Sequence, residues 1–311
     1  MRGLQPVTQL PRALRAGACF AVVAPAGPAR LDADKAQRWF AERGYHCRLY
    51  PSVTSAEGYL AGSDTQRLQD LHDAFADPGI DAILCMRGGY GSMRLLDGLD
   101  FELIRRHPKP LIGYSDITAL HTAVQRHTGL VTFHGAMLNA DLLGAKTEPT
   151  EASLFEQLSG RLQSGAPIVH PAAWPLTEIV PGSASGVLLG GNLSMLGATL
   201  GTLAQANLAG SILFIEDVNE PLYRVDRLLT QLRLAGLLQG VKGVLVGDFA
   251  GITVAALTPL LRDLFEPLRI PVLAGWRSGH CDPNVCLPLG ARVRLDSTAR
   301  TLHVEQALFA V

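Results

Sequence analysis

Four short stretches of this chain of 311 residues place reactive side chains at turns between ordered segments. In Leu111-Ile-Gly-Tyr-Ser115-Asp116-Ile117, an apolar run meets a helical pattern at a serine. A sharp strand-to-helix turn exposes such a hydroxyl, and the next N–H, that of Asp116, lies at the helix N-terminus, where negative charge is stabilised. Ile117 breaks the Gly-x-Ser-x-Gly spacing, and Ser115 or Asp116 could equally be a helix cap. Arg87-Gly88-Gly89-Tyr90-Gly91 follows the run Ile80–Met86, apolar apart from Asp81. Consecutive glycines let backbone N–H groups approach an anion closely. The stretch lacks the Gly-Lys-Ser/Thr of a phosphate loop and fails Gly-x-Gly-x-x-Gly, so no nicotinamide cofactor is expected. Half of an oxyanion hole and a plain turn both stay open. Phe214-Ile-Glu216-Asp217-Val218 ends an apolar strand, where a carboxylate can orient a histidine or simply face solvent. Ser278-Gly279-His280-Cys281-Asp282 sets a histidine in a polar turn, a position suited to general-base work. Cys281 beside it is a weaker nucleophile candidate, because adjacent side chains diverge.

These turns need elements to aim them. In the first half, strand-like runs alternate with helical ones: Ala18–Ala24, Asp32–Arg43, Tyr45–Tyr50, Ser63–Phe75 with Asp64 as cap, Ile80–Met86, a short helix from Ser92, Pro110–Tyr114, a helix from Asp116 to about His127, and Leu130–Phe133. Strands apolar throughout that alternate with helices imply an α/β fold with a parallel sheet covered on both faces. Residues 165–182 are rich in Pro, Gly and Ala and read as a linker. The expected organisation is an N-terminal α/β domain, 1–164, carrying Ser115, and a mixed C-terminal domain, 183–311, carrying Glu216 and His280. In the second part, Ser185–Leu189, Ser211–Ile215, Val241–Gly247 and Val272–Ala274 read as strands, with helices from Asn192 to about Leu203, over Arg224–Ala235 and over Thr258–Leu268. Ala291–Leu295 and Thr301–Glu305 close as a hairpin around Asp296-Ser297.

Composition narrows the class of function. Lys+Arg 27 against Asp+Glu 28 leaves no basic field for nucleic acid or anionic lipid. No apolar stretch is long enough to span a membrane. Arg2, Arg12 and Arg15 before Ala18–Ala24 superficially suggest a leader, but the run is short and reads better as a buried first strand. The five cysteines, Cys19, Cys47, Cys85, Cys281 and Cys286, are odd in number and partly strand-bound, which suits free thiols in a reducing cytosol. Neither Cys-x-x-Cys nor His-Glu-x-x-His occurs, so no metal site is expected.

Taken in order, Arg87-Gly-Gly-Tyr-Gly91, Gly113-Tyr-Ser-Asp116, Gly190-Gly-Asn-Leu193, Ile215-Glu-Asp-Val218 with Glu220-Pro221 and Tyr223-Arg224, and Ser278-Gly-His280 resemble the L,D-carboxypeptidase family of serine peptidases. The resemblance runs from about Phe20 to Leu295. It implies an N-terminal α/β sandwich on a parallel sheet and a smaller barrel-like C-terminal domain. It implies Ser115 as nucleophile, Glu216 as the acid and His280 as the base. Gly88, Gly89, Asp116 and Asn192 become candidates for oxyanion and substrate contacts. It further implies a cytoplasmic homodimer, without cofactor, that removes terminal D-Ala from murein tetrapeptide. The family also contains hydrolases of the microcin C immunity type, an alternative with the same triad. A non-catalytic two-lobed binding protein is the competing class, and a complete triad argues against it. Arg87, Arg224 and Arg277 are all candidates to bind a substrate carboxylate, since a guanidinium suits that task.

Overall fold

The computed structural model describes residues 6–310, so Arg2 lies outside it. Its first part runs β1 (Cys19–Val23), α1 (Ala33–Glu42), β2 (His46–Leu49), α2 (Asp64–Ala76), β3 (Ala82–Cys85), α3 (Phe101–Arg106), β4 (Leu111–Gly113), α4 (Thr118–Thr128), β5 (Thr132–His134) and α5 (Thr150–Leu158). The five strands pair in parallel in the order β5-β4-β3-β1-β2. Strand order reverses between β1 and β3, and ligands of open α/β sheets sit beyond the carboxyl ends of strands at such a point. The loops leaving these two strands touch there, Gly27 N–H donating to the Gly88 carbonyl at 3.1 Å. The apolar run at Ala18–Ala24 is thus a central strand. The cap of α2 is Ser63, whose hydroxyl accepts the Gln66 N–H, and not Asp64. Asp64 is turned instead to Arg67 and Arg94.

The second part runs β6 (Thr177–Val180), β7 (Ser183–Asn192), α6 (Leu193–Ala198), β8 (Ser211–Val218), α7 (Leu222–Leu234), β9 (Gly243–Ala250), α8 (Val254–Phe265), β10 (Val272–Ala274), β11 (Leu287–Leu289), β12 (Arg292–Asp296) and β13 (Thr301–Val304). Seven strands order as β13-β12-β7-β8-β9-β10-β6, parallel in the middle and antiparallel at the margins. Only Pro181 and Gly182 join β6 to β7. The steps from residue 180 to 183 span at most about 11 Å. In a flat sheet, the four spacings between those strands would need about 19 Å. The sheet must therefore curl until its β6 edge approaches β7, which gives the barrel-like form.

Two features modify the expected division. Thr177–Val180, inside the stretch read as linker, is a strand paired with β10. Earlier in that stretch, Gly165 and Ile168 donate to Val304 and Leu302, so the segment is laid along the second sheet. In return, β11 leaves the C-terminal part and pairs antiparallel with β5, capping that edge of the first sheet. The core explains both crossings. Phe20, Val22, Leu84, Ile112 and Phe133 of the first sheet share one cluster with Leu188, Ile212, Phe214 and Leu245 of the second. The alternate residues of the same strands face outward under helices, as Ala21, Val23 and Ile83 do on one side and Leu189, Leu213 and Val244 on the other. Strands buried on both faces are apolar at every position. On the outer layer, α7 buries Val225, Leu229 and Leu232, each worth about 1.5–3 kcal/mol of transfer free energy. All five cysteines are free.

Candidate active site

Short β4 ends at Gly113, and the chain turns through a single 3-10 turn, Ser115–Ile117, into α4. Ser115 has φ 64°, the left-handed region that a residue with a Cβ enters only under constraint. Neither Ser115 nor Asp116 caps α4, which has no side-chain cap. Asp116 instead accepts the Ser92 N–H at 2.8 Å through its carboxylate, tying this turn to the loop behind Gly91. That leaves the Ser115 hydroxyl free, and it lies 3.0 Å from His280 Nε2. His280 Nδ1 lies 2.7 Å from Glu216 Oε2, and the His280 backbone N–H reaches the same oxygen at 3.2 Å. With Nδ1–H donating to the carboxylate, Nε2 is left to accept the serine proton.

Gly88 and Gly279 make these approaches possible. A Cβ on Gly88 would lie 2.8 Å from Ser115 Cβ. Gly279 has φ 109°, and a Cβ there would come within 2.6 Å of Glu216 Cγ. Glu216 is fully buried, and burial pushes its carboxyl above the ordinary value, opposed by the His280 hydrogen bond and charge. Burial alone would lower the His280 imidazole. The Glu216 hydrogen bond and charge outweigh it, and the net shift is upward. Cys281 points elsewhere: its thiol donates to the Pro283 carbonyl, and burial pushes it up to about 12. A thiol so shifted supplies almost no thiolate at neutral pH.

Residues 20–135 match the LD-carboxypeptidase N-terminal domain, and residues 185–295 match the LD-carboxypeptidase C-terminal domain. A probable murein peptide carboxypeptidase of Bacillus subtilis is 40% identical over 98% of this chain and 97% of its own. The chain belongs to the LD-carboxypeptidase family. Among solved structures, an MccF-like protein from Bacillus anthracis superposes with a TM-score of 0.87 at 30% identity, covering 96% of this chain and 100% of its own. A muramoyltetrapeptide carboxypeptidase from Oxalobacter formigenes gives 0.76 at 29% identity, over 94% of this chain and 100% of its own.

Within this LD-carboxypeptidase fold the remaining candidates separate. Gly88 and Gly89 line a cavity of 280 Å³ at Ser115, with Arg87, Tyr114, Met137, Asn139, Ala140 and His280. Asn192 is placed differently. Its side chain accepts the Met195 N–H as the cap of α6 and donates to Asp217 at 2.9 Å, and it does not line this cavity. Asp217 itself accepts from Asn192 and from the Ser194 N–H and hydroxyl, and no hydrogen bond joins it to His280 among the described residues.

Sequence reasoning missed the segment after β5. Residues Leu138–Leu142 form a π-helical turn, a form frequent at functional sites. Asp141, buried there, accepts the Met137 N–H at 2.8 Å and the Tyr114 hydroxyl at 3.1 Å, and the Tyr114 ring stands edge-on to His280. Beyond it, Lys146 donates to the Cys281 carbonyl at 3.0 Å. Thr147 donates twice to Asp282, and the Thr150 and Ser153 hydroxyls accept from Asn284 and Cys286. The loop that carries His280 is thus stitched to the first part of the chain. Tyr114 was visible beside Ser115, whereas nothing in the spacing of Asp141 or Lys146 marked them.

Proposed function

We propose that this protein is a serine carboxypeptidase that removes terminal D-Ala from murein tetrapeptide during cell-wall recycling. The bond cut is the one between the L-centre of meso-diaminopimelate and D-Ala. The observation that carries the reading is the continuous chain from Ser115 through His280 to buried Glu216, at 3.0 and 2.7 Å. A serine hydroxyl is a weak nucleophile until a base takes its proton, and His280 Nε2 stands where that transfer occurs. Attack on the peptide carbonyl carbon forms a tetrahedral oxyanion. The backbone N–H groups of Asp116 and Gly89 receive it on the side of Ser115 that faces the glycine loop. The imidazolium, stabilised by Glu216, then protonates the leaving D-Ala nitrogen as the C–N bond breaks. Water, deprotonated by the same imidazole, attacks the acyl-serine; the ester C–O bond breaks, Ser115 regains a proton, and tripeptide leaves. In this reading the enzyme acts in the cytoplasm as a homodimer.

The test is mass spectrometry of L-Ala-γ-D-Glu-meso-diaminopimelate-D-Ala incubated with the protein. The expected result is loss of one alanine with the wild type. Ser115→Ala should retain the fold and lose at least about four orders of magnitude in kcat. Tetrapeptide left intact by unlabelled wild type, while a parallel sample of the same protein reacts with a phosphonofluoridate at Ser115, would overturn the reading. The likeness to the MccF-like structure favours a second reading, hydrolysis of a peptide or aminoacyl nucleotide antibiotic. Release of the nucleotide part from such a compound, with the tetrapeptide untouched, would establish it instead.

A further inference from the structure

A carboxypeptidase must distinguish a chain end from an internal bond, and the distinguishing group has to reach the leaving residue beside the nucleophile. The basic side chains near the site differ in what already occupies them. Arg277 stacks 4.0 Å over Trp174, pairs with Asp248 at 2.8 Å and donates to the Asp282 carbonyl. Lys146 is held by the Cys281 carbonyl and Asp141. Arg224 pairs with Glu220 on an exposed helix face and does not line the cavity. Arg87 does line it, and among the described residues no carboxylate lies within ion-pair distance of its guanidinium.

The arm of Arg87 is steadied by one bond, from Nη1 to the Pro28 carbonyl at 3.0 Å. Its Nη2 lies 3.6 Å from where a Cβ of Gly89 would stand, so the guanidinium borders the glycine loop on the cavity side. A guanidinium has five N–H donors, so others remain for a two-oxygen acceptor. The backbone that carries Arg87 continues directly into Gly88, which touches Ser115. The spacing between cation and nucleophile is therefore set by two adjacent residues. Met137 and Ala140 form apolar wall nearby, and 280 Å³ is ample space for a small leaving residue.

We propose that Arg87 receives the terminal carboxylate of the leaving residue and thereby confines the enzyme to free chain ends. This rests on the carboxypeptidase reading above. In the peptide, that carboxylate carbon is two bonds from the scissile nitrogen, so a clamp on it also aligns the scissile carbonyl with Ser115.

The test crosses enzyme and substrate variants. Wild type, Arg87→Gln and Arg87→Lys are each given the tetrapeptide as free acid and as C-terminal amide. The rate at which a small phosphonofluoridate labels Ser115 reports the triad without any carboxylate. Wild type should prefer the acid by about 100-fold or more in kcat/KM. Arg87→Gln should lower that preference to about threefold or less through the acid, with Ser115 labelling within about threefold of wild type. Arg87→Lys keeps the charge but not the fork, so it should retain an intermediate preference. It decides the matter if the glutamine variant fails to fold. An acid-to-amide ratio unchanged by either substitution, or near one in the wild type, overturns the assignment while leaving the carboxypeptidase reading intact. Unlabelled wild type that cleaves neither peptide, although a parallel sample is labelled at Ser115, removes both.

Discussion

Ser115 and His280 are separated by 165 positions in sequence, yet the proton between them is what the site exists to move. Only neutral His280 can accept it. Because Glu216 raises this imidazole above the ordinary 6.5, the acid limb of kcat/KM should have its midpoint above 6.5, with activity lost as pH falls through it. Glu216→Gln keeps the shape and removes the charge. Burial is then opposed only by the smaller pull of the Asp217 and Asp141 charges, so the midpoint should move below that of wild type while kcat falls by roughly three to four orders of magnitude. Asp217 is the control one residue along. Its carboxylate serves Asn192 and Ser194, so Asp217→Asn should lower stability by about 1.5–3 kcal/mol and move the kinetic midpoint down less than Glu216→Gln does, because its charge raises the imidazole less than Glu216 does. Denaturant unfolding together with pH–rate profiles separates the two. A shifted profile in Asp217→Asn with an unshifted one in Glu216→Gln would move the triad acid by one position.

At the scale of elements, the base depends on a loop whose anchors lie on the other part of the chain. Residues 277–286 contain no regular strand or helix, and they are held by Lys146, Thr147, Thr150 and Ser153. Asp282 accepts two of these bonds, at 2.7 and 2.8 Å, two positions from His280. Removing its carboxylate with Asp282→Ala should lower stability by about 1 kcal/mol and loosen the imidazole. The expected kinetic result is a fall in kcat of about tenfold with KM little changed, since positioning and not binding is lost. Stopped assays on the tetrapeptide check this. Unaltered kcat in a variant whose unfolding midpoint has dropped would show that the latch supports the fold only.

At the scale of the molecule, the two sheets are not independent. They share one apolar cluster, and β11 finishes the first sheet from beyond the second. A fragment ending at residue 164 would lack β11 and expose the inner face of Phe20, Val22, Ile112 and Phe133 to water. It should therefore show no cooperative thermal transition by circular dichroism, although it holds the complete parallel sheet and Ser115. A cooperative melt at the full-length temperature would mean that the first part folds alone. The same sharing places the nucleophile on one sheet and its acid and base on the other side of the common core. Asn192 N–H donating to the Thr118 hydroxyl is one of the polar joints that set their separation.

Much of this was legible in residue order because it depends on short-range forces. The alternating strands and helices of the first half, the serine at the turn after β4 and the glycines after Met86 follow from local periodicity and backbone freedom. The kinds of side chain a serine hydrolase needs were likewise visible, along with a family resemblance that the matched domains support. Tertiary structure decided the pairings. Asn192 looked available until its side chain was taken up by Met195 and Asp217, and the stretch at 165–182 looked like linker until β10 offered an edge to Thr177–Val180. Three arginines were equivalent as letters, and only the positions of Asp248, Glu220 and the Ser115 cavity distinguish them. Asp141, Lys146 and Thr147 carried no local signal at all, because their partners lie at Tyr114 and the His280 loop. Local propensity acts over a few residues, whereas hydrogen bonds and charges act between whatever the fold brings within about 3 Å.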